Sequence, residues 1–122
     1  MQIQINTDHN LEGREALSAH IRTVVEHALN HESARITRVE VHLSDEKGPK
    51  GGLKNIRCAM EARLEHLQPV AVTFEAATVH QAVEGAADKL ARLVAHTLGR
   101  LRDERKHRTD PPPVEPEVPV QS

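Results

Sequence analysis

The chain predicts an α+β fold of order β-α-β-β-β-α, one four-stranded sheet with both helices packed on one face. Three observations predict it. Four short segments alternate apolar and polar residues, as strands with one buried face do. Two longer segments repeat apolar residues at three- to five-residue steps, as amphipathic helices do. The last three strands follow one another with short connections, as an antiparallel meander requires. One apolar face per strand places both helices on the same side of the sheet.

The first strand is residues 2–6, with Ile3 and Ile5 inward. Residues 7–13, rich in Asn, Asp and Gly, form a loop. A helix follows over about residues 14–30, burying Leu17, Ile21, Val24, Val25 and Ala28 and turning Glu15, Arg22 and Glu26 away. Residues 38–43 alternate again, with Val39, Val41 and Leu43 on one face. The Gly- and Pro-containing stretch 45–52 ends that strand. The clearest alternation is next: Ile56, Cys58, Met60, Ala62 and Leu64 inward, Arg57, Glu61, Arg63 and Glu65 outward. A tight return at 66–69 leads to the fourth strand, built on Val70, Val72, Phe74 and Ala76.

Thr78 and Gln81 have capping-box spacing and open the last helix. Its buried stripe is expected to be Val79, Val83, Ala86, Leu90, Leu93, Leu98 and Leu101. The helix has room to run to about residue 107, longer than a strand, so its end from about Arg100 should overhang unless Gly99 breaks it. Residues 109–122 read as an acidic, proline-rich, disordered tail after a domain of residues 1–108.

The 122 residues are enough for one small domain. The whole chain carries 16 basic and 18 acidic residues, but the charge is unevenly placed. Residues 89–108 hold seven Lys/Arg against Asp103 and Glu104. Lys89, Arg92, His96 and Arg100 follow at steps of three, four and four, within roughly an 80° arc of the helix. Such a row suits a phosphate backbone, although charge runs are often only solvated faces. Nine histidines add positive charge as pH falls into the ordinary histidine range. With one Phe and neither Trp nor Tyr, base stacking on aromatic platforms is nearly ruled out, so a bound nucleic acid would be held by backbone and shape.

No enzyme is expected. Cys58 lies between inward residues and reads as a core thiol rather than a nucleophile. The 48–52 glycines lack Walker spacing and join two strands, and no serine sits in a nucleophile elbow. Glu61 and Glu65 share their sheet face with Arg57 and Arg63, which suggests ion pairing rather than acid–base chemistry. His27 and His31 stand four apart on the first helix, with His20 near the same line. Ala28 occupies the position where a zincin has its glutamate, so no metal or cofactor is expected. His27 reads as a polar flank, with phosphate contact as the other option. No leader or membrane-length apolar run is seen, and a cytoplasmic location is expected.

The element order and the run Ala82-Val83-Glu84-Gly85-Ala86-Ala87-Asp88-Lys89-Leu90-Ala91-Arg92 resemble the ribosome hibernation-promoting factor / ribosome-associated inhibitor (protein Y) family, in its short form. Asp88-Lys89-Leu90-Ala91-Arg92 is the most specific part, and Glu15-Ala16-Leu17 also matches. The resemblance, over about residues 1–108, implies a translation inhibitor that binds small-subunit ribosomal RNA and occludes the messenger and transfer RNA channel. It assigns rRNA contact to Lys89, Arg92, His96 and Arg100, and adds His27, which with Val24 stands where the family often has lysines. The thinner cation cluster implies weaker binding. A homodimer is a possible partner; a membrane or small-molecule substrate is not expected. The alternative is a self-association or protein-interaction module of the same fold, with Leu98 and Leu101 pairing overhanging helices. A histidine-based metal protein is a weaker alternative.

Overall fold

A four-stranded sheet in the order β1-β2-β3-β4 organises the molecule. The computed structural model describes residues 1–7, 14–45 and 55–109, the side chains of Arg14 and residues 106–109 excepted. The elements are β1 (Gln2–Thr7), α1 (Arg14–Ala28), a 3-10 helix (Asn30–Arg35), β2 (Ile36–Asp45), β3 (Ile56–Leu64), β4 (Val70–Ala76) and α2 (Val79–Thr109). The loops expected at 7–13 and 45–52 and the tail at 109–122 lie outside the described residues, except Thr7, Asp45 and Thr109, which end β1, β2 and α2.

β1 runs parallel to β2, because α1 carries the chain back across the sheet, while β2, β3 and β4 pair antiparallel. The register sets inward residues side by side: Ile3 with Val39, Val41 with Met60, and Met60 with Val72. A one-residue slip would turn this whole row to solvent, so burial enforces the register. Ile21, Val25 and Leu29 come down from one helix and Val83, Ala86, Leu90, Val94 and Leu98 from the other, all buried. Among the described residues no polar or charged residue is buried. The opposite sheet face carries the ion pairing expected of Arg63 and Glu61, at 4.0 Å, and adds Arg38 with Glu40 at 2.7 Å.

Three expectations are adjusted. α1 ends at Ala28, two residues early, and the chain tightens into the 3-10 helix, which keeps Leu29 buried. On α2 the inward residue is Val94 rather than Leu93, which is only half-buried, so Leu90, Val94 and Leu98 descend at steps of four. Gly99 does not interrupt the helix. Nor does the overhang begin at Arg100: Leu98 is 1% exposed. Leu101, half-buried, shares a recess with Leu67 of the β3–β4 return, Thr97, Arg100 and Glu104. Residues 102–105 are exposed, so the overhang starts about there. Leu98 is therefore not available for pairing with a second helix.

Cys58 is fully buried on β3. Loss of solvation pushes its thiol from the ordinary 9.0 up to about 12. Native protein should thus resist thiol alkylation at pH 8 and react fully once unfolded, which mass spectrometry reads directly. Rapid labelling of native protein would place Cys58 at the surface. The unfolded thiol loses its proton first, so stability is fully present below about pH 9 and declines as pH rises towards 12.

Candidate nucleic-acid interface

α2 begins where Thr78 Oγ1 accepts the Gln81 N–H at 3.1 Å and the Thr78 carbonyl accepts the Ala82 N–H at 3.0 Å. These contacts fix the rotation of the helix from its first turn. With Leu90, Val94 and Leu98 directed at the sheet, the 3.6-residue repeat leaves Lys89, Arg92, His96 and Arg100 pointing outward. All four are exposed. From first to last they span about 17 Å of helix axis at 1.5 Å per residue.

The row is not uniform. Lys89 leans over the edge of the sheet, and its Nζ donates to the Thr73 carbonyl of β4 at 3.0 Å. The other edge has a counterpart, since Arg22 of α1 donates to the Ile3 carbonyl of β1 at 3.3 Å. A cation from each helix thus engages a carbonyl of each edge strand, which blunts edge-to-edge pairing. Arg92 is held by Asp88, one turn back, in an exposed hydrogen-bonded ion pair. Arg100 and His96 make no ion pair with a described residue. The Lys89–Thr73 contact was not legible in the sequence, because it depends on which strand is the edge.

His27 is exposed but stands apart from this row. It lines a cavity of about 400 Å³ between the helices, with Thr23, Val24, Ala28, Glu84, Ala87 and Asp88. Its nearest charged neighbours in that cleft are therefore acids. Asp88 separates it from the cations, pairing with Arg92 on one side and facing the cleft on the other.

Close packing sets the position of the helix over β4. The Phe74 ring lies across Gly85: a Cβ placed there would fall 2.3–2.6 Å from three ring carbons. No side chain fits at position 85 while the ring stays where it is. Phe74 is 37% exposed, and with Gln81, Glu84, Gly85 and Asp88 it borders a shallow groove along the outer side of α2. The sole aromatic residue therefore serves helix–sheet packing.

The fold has counterparts among known proteins. No curated protein sequence matches the chain. The crystal structure of the Thermus thermophilus Protein Y N-terminal domain is similar at 21% identity and a TM-score of 0.64, covering 80% of this chain and 99% of that one. A ribosomal subunit interface protein from Coxiella burnetii is similar at 15% identity and a TM-score of 0.61, covering 81% and 99%. Both likenesses concern the fold. A family model described as Sigma 54 modulation protein / S30EA ribosomal protein matches residues 3–102, from the start of β1 through the exposed row of α2. By that match, over most of its length, the chain belongs to the Sigma 54 modulation protein / S30EA ribosomal protein family.

Proposed function

We propose that this protein is a ribosome-associated translation inhibitor that binds small-subunit ribosomal RNA and occludes the messenger and transfer RNA channel. The observation that carries the proposal is the family match over residues 3–102, which includes the outward row of Lys89, Arg92, His96 and Arg100. The names of the two similar structures, a Protein Y domain and a ribosomal subunit interface protein, point the same way. Binding would be electrostatic: cations on a rigid helix position the domain through phosphates, and its bulk obstructs the channel. No chemistry is required, and no cofactor or small-molecule substrate. Residues 1–108 would be the binding domain and 109–122 an acidic tail. The protein would act in the cytoplasm; among the described residues no helix is long and apolar enough to cross a membrane.

Self-association of the overhanging helix is the weaker reading, because Leu98 is buried in the core. Co-sedimentation with purified ribosomes distinguishes the two. With three or four phosphate contacts, affinity should fall roughly 20- to 150-fold between about 50 and 200 mM salt. Absence of pelleting at both salts, with salt-insensitive association of the free protein, would replace the ribosome reading by the self-association one.

A further inference from the structure

We propose that His20, His80 and Glu84 form a binding site for one divalent transition metal ion, zinc above all, that ties α1 to the first two turns of α2. One donor atom from each residue can be chosen so that all three lie within 4.8 Å of one another. The sequence sets His20 near the line of His27 and His31 on the expected first helix, although His31 lies in the 3-10 helix. The structure instead turns His20 towards α2, where His80 and Glu84 stand four residues apart on one helix face. The His20 and His80 rings are 4.1 Å apart at 65°. Shielded from solvent, His20 Nε2 has no hydrogen-bond partner among the described residues. An imidazole nitrogen that is buried and unpartnered is unusual, and a metal ion supplies the missing partner.

Two imidazoles and a carboxylate are zinc ligands. Tetrahedral bonds of about 2.0–2.2 Å place ligand atoms about 3.3–3.6 Å apart. Small rotations of His80 and Glu84, both exposed, close the present spacing to that value. Calcium and magnesium prefer all-oxygen shells and are disfavoured by two nitrogens. Three protein ligands leave a fourth position to water. The partial positive charge at the start of α2 opposes a cation, and the Glu84 carboxylate offsets it. The site stands whether or not the protein binds ribosomes.

Zinc titration of the full chain by calorimetry tests it, with cobalt absorption reporting coordination number. One equivalent should bind. His80→Gln and Glu84→Gln, both at exposed positions, should each weaken binding about tenfold or more, since even outer-shell partners of a metal are worth that much. His27→Gln and His31→Gln should leave it unchanged. At a hundredfold excess over Kd, zinc should raise the melting temperature by about 10 °C. Absence of binding would overturn the proposal. So would binding that survives both His80→Gln and Glu84→Gln, or that His27→Gln and His31→Gln weaken equally, because scattered histidines would then be responsible.

Discussion

Reversing Lys89 and Arg92 to glutamate together should lower ribosome affinity more than about a hundredfold while leaving the domain folded. Each charge-assisted contact to phosphate is worth about 1.5–3 kcal/mol, and reversal adds repulsion to the loss. Both side chains are exposed on the helix, so circular dichroism should be unchanged. The Arg92–Asp88 pair is exposed on both sides, at 75% and 62%, and its loss should cost less than about 1 kcal/mol of stability. Arg100→Glu, with no ion pair to break among the described residues, should give a smaller loss of the same kind.

The converse substitution tests the surface with the opposite sign. Asp88 holds Arg92 and places negative charge between the cationic row and the His27 cleft. Asp88→Asn frees Arg92 and removes one repulsive charge, so it should tighten ribosome binding, on the order of a few-fold, and steepen the salt dependence. A charge-reversed protein that still co-sediments, with Asp88→Asn neutral, would remove this helix face from the interface.

The fold was legible because one physical signal, the alternation of burial, dominates the central strands β2 and β3. Ile56, Cys58, Met60, Ala62 and Leu64 are all buried, as their spacing predicts. The start of α2 was also legible, since the Thr78 cap is local. What sequence spacing could not supply was anything dependent on distant partners. The parallel pairing of β1 makes β4 an edge, and only then does Lys89 have the Thr73 carbonyl to engage. His20 resembled a residue of an α1 row until the packing of the helices set it against His80. The resemblance groups His27 with the cations, at a place where the family often has lysines, while the packing puts it beside Glu84 and Asp88. On α2 the spacing identifies Val83, Ala86 and Leu90 as inward but leaves out the buried Ala82 and Ala87, and it loses phase at Leu93, because two apolar neighbours, Leu93 and Val94, compete for one inward position. Only the sheet beneath decides between them.

That same phase decides the fate of the far end of the helix, and one substitution measures it. Leu98→Ala should destabilise the protein by about 3 kcal/mol, the usual range for emptying a fully buried leucine site being 2–5. For a domain of this size that lowers the melting temperature by roughly 10–20 °C and removes a large part of a total stability of about 5–15 kcal/mol. Leu101→Ala, at a half-buried position one turn later, should cost about 1 kcal/mol, because solvent already reaches it and the recess with Leu67 can close. Were residues from Leu98 onward a free overhang, both substitutions would be nearly neutral, and Ala, the better helix former, would be tolerated equally well at each. The difference between the two melting temperatures thus reads how far the sheet grips the helix. It also bears on function: a helix anchored through Leu98 holds Arg100 at a fixed distance from Lys89. If Leu98→Ala weakens ribosome binding only by unfolding the domain, low temperature should restore it. If the loss persists in folded protein, the anchoring of Arg100 is itself part of the interface.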